Sequence, residues 1–275
     1  MSKIDEVDGL ESAPALRIDG TRRETFDDTV IEETPIALLY NGRSHAVMMA
    51  TPTDLPDFAL GFALTEGIVA SADEFELVDC VRGEYGIALH AAIPQARFDA
   101  LDARERNLTG RSGCGLCGTE SLEAAIRPLR KVASDARFDA TAIADGLEQL
   151  SARQELNRRC GGAHAAGFVH ANGIVVREDV GRHNALDKLA GALATSTLPT
   201  LAPSTRADGF LAITSRASYE IVHKSAAVGI AVIAAMSAPT DRAIRIADEA
   251  GIKAIAFARG ESMTVYAHPQ RLCWT

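Results

Sequence analysis

The chain has 275 residues, 47% apolar and 24% charged, the proportions of an ordinary globular protein long enough for one large domain or two small ones. Its formal net charge of −9 argues against nonspecific nucleic-acid binding, which needs many Lys and Arg contacts to phosphate. No apolar run reaches the roughly 18 to 20 residues of a membrane span, and five cysteines, an odd number in so long a chain, point to a reducing compartment rather than a disulfide framework.

Met1–Asp8 is acidic and lacks the apolar core of a signal peptide, so residues 1–25 read as a disordered acidic tail of a cytoplasmic protein. Thr34–Tyr40, then Asn41-Gly42, then His45–Met49 predicts a β-hairpin, because Asn-Gly supplies the positive φ of a type I′ turn. Thr53 or Asp54 then caps a helix with Leu55, Phe58, Phe62 and Ala63 on one side, Pro56 in its first turn and Gly67 at its end. Glu76–Arg82 and Tyr85–Ile93 read as strands, after which residues 95–113 turn polar. A domain boundary is expected around Ser134 to Asp139.

The most informative segment follows that polar stretch: Gly113-Cys114-Gly115-Leu116-Cys117-Gly118. Glycine makes the loop permissive in φ/ψ, and a helix start at Thr119–Ile126 favours anions near its N-terminus, so a thiolate at Cys117 or Cys114 is stabilised there. Spacing alone leaves three chemistries open. A dithiol redox pair normally follows a buried strand, which is missing here. A structural zinc needs two more ligands, and Cys160 with His164 are available at C-x-x-x-H spacing. A sulfur carrier needs a reachable thiolate on a mobile loop. The run also matches G-x-G-x-x-G, weakly, since no apolar strand precedes it.

Gly167–His170, Ala171-Asn172-Gly173 and Ile174–Arg177 predict a second hairpin, and a helix at 182–194 follows with Ala185, Leu186, Leu189 and Leu193 on its apolar stripe. Phe210–Ile213, Ser218–Val228, Ile230–Ala235, Asp241–Ala250 and Ile252–Phe257 then alternate strand and helix, the pattern of a parallel sheet covered by helices. Ligands in such folds lie beyond the carboxyl ends of the strands. Three loops leave those ends: Thr214-Ser215-Arg216, Ser237-Ala238-Pro239 and Phe257-Ala258-Arg259-Gly260-Glu261-Ser262. Their hydroxyls, amides and guanidinium groups suit a nucleotide-like anion.

Arg177–Asn184 is dense in charge. A surface ion pair between Arg182 and Asp179 accounts for it, and contact of Arg182 and His183 with an anionic ligand is the functional alternative. Ser218–Lys224 reads as a cap with a solvated face, while Cys80 and Cys273 read as packing residues. Zinc-deaminase chemistry is absent: none of the seven histidines has Glu at +2, and Gly113 replaces the required proline.

Together these stretches resemble the FdhD family, the sulfurtransferases needed to activate formate dehydrogenase. The resemblance runs over roughly residues 30 to 272. It rests on Tyr40–Gly42 with Val47–Pro52, Thr65–Ile68, Arg111–Gly118, Glu178–His183 with Ala185–Lys188, Ser215–Glu220 with Lys224-Ser225, and Val265–Leu272. It implies an α/β fold: a C-terminal cytidine-deaminase-like mixed sheet flanked by helices over 137–275, and a smaller α+β N-terminal domain over 26–136 that carries the C-x-x-C loop. It implies that Cys114 carries sulfur as a persulfide, with Cys117 in support. The sulfur comes from a cysteine desulfurase and goes to the molybdenum of bis(molybdopterin guanine dinucleotide), held at Phe257, Ala258, Arg259, Gly260, Glu261 and Ser262, where guanine nucleotides mimic it. Formate dehydrogenase is the client, a homodimer the expected assembly, and neither resident metal, membrane nor nucleic acid is expected. A noncatalytic cofactor-binding chaperone, and a zinc-stabilised module using Cys114, Cys117, Cys160 and His164, are the alternatives. Cys160 stands where many relatives have another residue.

Overall fold

The computed structural model describes residues 8–106, 128–196 and 208–273. β1 (Leu10–Asp19) and β2 (Arg22–Ile31) form an antiparallel ribbon in full register, from Leu10 opposite Ile31 to Asp19 opposite Arg22. This corrects the expected tail over 1–25: from Leu10 onward the segment is half of a hairpin. Its polar composition was misleading because a two-stranded ribbon buries little, and backbone pairing with cross-strand contacts such as Arg17 over Phe26 holds it instead.

The Asn41-Gly42 hairpin forms as expected, β3 (Thr34–Tyr40) pairing with β4 (Arg43–Ala50). Both turn residues have positive φ, 49° and 83°, as a type I′ turn requires. With β5 (Glu76–Gly83) and β6 (Gly86–Ala92) they make a four-stranded sheet in the order β4-β3-β6-β5. α1 (Leu55–Thr65) closes one face, packing Leu55, Phe58, Phe62 and Ala63 onto Ile36, Leu38, Ile87 and Leu89. Neither expected cap works through its side chain. Asp54 sits at the N-cap position in the left-handed region without a capping bond, its carboxylate 3.4 Å from the Arg177 guanidinium. The polar stretch after β6 begins as a helix, α2 (Gln95–Arg106).

The second half is built on a six-stranded mixed sheet. After the short β7 (Phe138–Asp139) come α3 (Ala140–Ala152) and α4 (Glu155–Cys160). β8 (His164–His170) and β9 (Gly173–Asp179) form the second hairpin, followed by α5 (Arg182–Thr195). The alternation then runs β10 (Phe210–Ile213), α6 (Tyr219–Ala227), β11 (Val232–Ala235), α7 (Asp241–Ala250), β12 (Lys253–Arg259) and β13 (Ser262–Ala267), with a last short strand, β14 (Leu272–Cys273), pairing β7. The order is β13-β12-β11-β10-β8-β9: β10, β11 and β12 are parallel, and antiparallel strands flank them on both sides. All four residues of β10 and of β11 are buried, as expected of strands covered on both faces. The chain is therefore of the α/β class, with helices flanking a mixed sheet. Among the described residues no helix is long and apolar enough to cross a membrane.

Candidate functional site

Parallel β10, β11 and β12 end on one edge of the sheet, and backbone bonds lace their outgoing segments together. Met236 N–H donates to Ile213 O at 2.9 Å, Phe257 N–H to Ser237 O at 3.2 Å, and Thr240 N–H to Ala217 O at 3.0 Å. The three predicted ligand loops thus lie side by side. One is not a loop. β12 continues to Arg259, and Gly260-Glu261 form the turn of a hairpin into β13, with Arg259 opposite Ser262. The pairing ladder is interrupted between Ala256 and Arg259, where Phe257 adopts φ 52° and is 48% exposed. A bulky residue in the left-handed region is strained, and here the kink throws its ring outward. Gly260, at φ 53°, meets no atom within 4 Å of the position a Cβ would take.

Beside this turn lies a cleft of about 710 Å³. One wall is Met236 with Ala258–Glu261, and the other is the outer face of α3. That volume falls within the usual range of ligand pockets, roughly 300–1,000 Å³. Arg259 directs its guanidinium along the turn, Nε donating to Met236 O at 3.3 Å. The α3 wall was not singled out from the sequence. Its polar positions are legible as a helical face opposite Ile143, Gly146, Leu147 and Leu150, but periodicity does not say what an outer face looks onto.

Farther along the same edge, the charge-dense segments are arranged otherwise than expected. Arg182 and Asp179 are not a surface pair. Asp179 is wholly buried 2.7 Å from the equally buried Lys188, and it also accepts from Gly181 N–H and Asn184. Glu220 and Lys224 do not lie on a solvated face. The Glu220 carboxylate sits 2.6 Å from His183 Nε2, and Lys224 is buried against Asp187 and Glu66. Burial works to raise the Glu220 pKa, but hydrogen bonding and charge from His183 outweigh it and hold the carboxyl below its ordinary range. His164, at the start of β8, is held below the usual imidazole range, first by burial and then by the neighbouring Arg182 and His183 charges.

Cys114 and Cys117 lie outside the described residues. Cys160 ends α4, its thiol donating back to Leu156 O at 3.1 Å and accepting from Gly162 N–H at 3.4 Å. Among the described residues no group of three or more His, Cys, Asp and Glu side chains is placed to hold a metal.

The family described as FdhD/NarQ matches residues 31–273 of this chain. The chain belongs to this family. The match spans both cores and the cysteine segment. Among FdhD/NarQ proteins, the sulfur carrier protein FdhD of Cupriavidus necator is 53% identical over 247 residues, 89% of this chain and 84% of the relative. That of Xanthomonas campestris is 50% identical over 255 residues, and that of Variovorax paradoxus 46% over 266 residues, 95% of this chain and 94% of the relative. A crystal structure described as a formate dehydrogenase accessory protein of Desulfotalea psychrophila superposes with TM-score 0.70 over 96% of this chain and 99% of that one. Its identity to this chain is 22%, so the likeness is one of fold.

Proposed function

We propose that this chain is a sulfur carrier in formate dehydrogenase maturation, taking sulfur from a cysteine desulfurase as a Cys114 persulfide and delivering it to the molybdenum of bis(molybdopterin guanine dinucleotide). The observation that carries the reading is the likeness, near 50% identity over most of the chain, to proteins named sulfur carrier protein FdhD. The Cys114-x-x-Cys117 run is the segment of this sequence with the chemistry for that work.

In the loading step the Cys114 thiolate attacks the terminal sulfur of the donor persulfide. A new S–S bond forms on Cys114 as the donor's S–S bond breaks, and the donor leaves as a thiolate, with no net oxidation. The persulfurated loop then meets its cargo at the carboxyl edge of the sheet. The cleft beside Ala258–Glu261 has the volume for a nucleotide portion, and Arg259 with the Gly260 turn supplies a cation and an unobstructed backbone for phosphate. Cys117 supports the exchange. The protein works in the cytoplasm, as a homodimer, with formate dehydrogenase as its client.

The test is peptide mass spectrometry after incubation with a cysteine desulfurase and cysteine. One reductant-labile sulfur on Cys114 is expected, lost in Cys114→Ala and retained in Cys117→Ala. Undiminished loading and formate dehydrogenase activation by Cys114→Ala would overturn the assignment and leave a cofactor-binding chaperone.

A further inference from the structure

Two helices open side by side on the carboxyl edge, away from the cleft. α5 begins at Arg182 and α6 at Tyr219, and neither carries a side-chain capping bond. His183 ties their first turns together, its Nε2 lying 2.6 Å from the Glu220 carboxylate and 3.5 Å from Ser218 Oγ. Carboxylate and hydroxyl meet the same ring nitrogen, so this is not the relay of a serine nucleophile, which needs them on opposite nitrogens. An ionised carboxylate only accepts, so Nε2 carries a proton and Nδ1 presents a lone pair. Nδ1 has no hydrogen-bond partner among the described residues, and the His183 and Glu220 side chains are 20% and 18% exposed, within reach of a ligand. Arg182 lies close enough to act on both Glu220 and His164, and its buried Nε has no hydrogen-bond partner among the described residues. A buried N–H without an acceptor is rare in native proteins and marks a place where a water or an anion belongs. Asp179 is taken by Lys188, which leaves the Arg182 guanidinium as the uncompensated charge beside the His183–Glu220 pair.

Resting on the sulfur-carrier reading above, we propose that His183 and Arg182 receive the persulfide for delivery, His183 taking the proton of its terminal sulfur and Arg182 facing the resulting anion. The step is a proton transfer alone. The S–H bond of R–S–SH breaks, an N–H bond forms at His183 Nδ1, and R–S–S⁻ remains beside an imidazolium with no change in oxidation state. The Arg182 Nε–H donates to the sulfur anion, and the N-termini of α5 and α6 add a favourable potential. Glu220 is the positioning residue: it fixes the tautomer that leaves Nδ1 free and stabilises the imidazolium once formed. One guanidinium suits a monoanion. A diphosphate would bring more charge than the cluster balances and would lie against Glu220. The cluster also stands two to three strands along the sheet from the Arg259 turn, roughly 10–15 Å at the usual strand spacing, which sets it apart from the nucleotide end of the edge.

The experiment separates loading from delivery. The full chain is loaded with radioactive sulfur from a cysteine desulfurase and labelled cysteine, and loading is read by mass spectrometry. Delivery is read as loss of label, and as formate dehydrogenase activity, on mixing with a cell extract that lacks this chain. R182Q, H183A and E220Q are expected to load like the wild type. R182Q and H183A should deliver roughly 10- to 150-fold more slowly, the range for one charge-assisted hydrogen bond. R182K should recover part of the rate, and added imidazole should recover part of it in H183A, which a merely structural histidine would not allow. E220Q should slow delivery alone and cost nothing further in the H183A background. Circular dichroism checks folding, and H183Q, closer in size and unable to take up a proton, replaces H183A where that variant melts early. Wild-type delivery by R182Q and H183A, loading lost in step with delivery, or no rescue by imidazole would overturn the assignment. A wild-type chain that fails to load, or loads and never delivers, would overturn the sulfur-carrier reading itself.

Discussion

Tyr40, at the end of β3, is 1% exposed, and its hydroxyl has no hydrogen-bond partner among the described residues. Burial, followed by the Glu66 and Asp187 carboxylates, pushes its pKa well above the ordinary phenol value, so it remains a neutral O–H in the interior. An unsatisfied buried hydroxyl costs about 1–3 kcal/mol, and a phenylalanine of the same shape does not carry that penalty. Tyr40→Phe is therefore expected to raise stability by about 1 kcal/mol in urea denaturation; a loss instead would mean that the hydroxyl is satisfied in solution. Asp54 teaches a related lesson. Its position before an apolar helix reads as a cap, yet its backbone lies in the left-handed region at φ 51° and its carboxylate rests 3.4 Å from Arg177, whose guanidinium hydrogen-bonds Asp57 at 2.6 Å. A capping side chain needs an extended backbone at the N-cap position, which Asp54 does not adopt.

At the scale of elements, α1 and α5 touch backbone to backbone. A Cβ on Gly61 would lie 1.7 Å from Asp187 O, and one on Gly191 2.0 Å from Asp57 O. Helix propensity favours alanine over glycine at both positions by about 1 kcal/mol, but contact of this kind forbids it. Gly61→Ala and Gly191→Ala are expected to destabilise by about 1–3 kcal/mol or more through overpacking, read as a fall in melting temperature. A rise would show that the helices separate cheaply. Both Asn-Gly turns and the helices with regular apolar stripes were readable from the sequence, since those signals are local. The burial of α5 was readable only on one side. Its stripe of Ala185, Leu186, Leu189 and Leu193 is core, but Asn184, Asp187 and Lys188 are buried too, because α1 covers the face that periodicity assigns to solvent.

Across the whole molecule, two buried charge clusters join the halves of the chain. Lys188 meets Asp179 and donates to Thr51 O at 2.9 Å and Thr53 Oγ1 at 3.2 Å. Lys224 meets Asp187 at 2.8 Å, Glu66 at 2.9 Å and Thr65 Oγ1 at 3.1 Å. Asp187 and Glu66 raise the Lys224 pKa against the opposing pull of burial, so the ammonium stays charged there. Lys224→Met would strand two carboxylates in the interior, with an expected loss of about 3–5 kcal/mol. Adding Asp187→Asn should restore part of it, a non-additivity that denaturation of both single variants and the double would reveal. Strictly additive losses would mean the two groups do not depend on each other. These clusters hold the half bearing α1 against the sheet whose edge carries the cleft.

The sequence by itself determined the α/β class and the strand and helix order of the second half. Each depends on spacing along a few dozen residues or fewer, through periodicity and turn chemistry. The tertiary structure alone decided which charges are interior, that Leu10–Asp19 and Arg22–Ile31 form a ribbon, and that α3 faces the Arg259 turn across a cleft. Those outcomes depend on contacts between residues far apart in the chain. The free energy of a charge or a polar face is set by what packs against it, and periodicity does not record that neighbour.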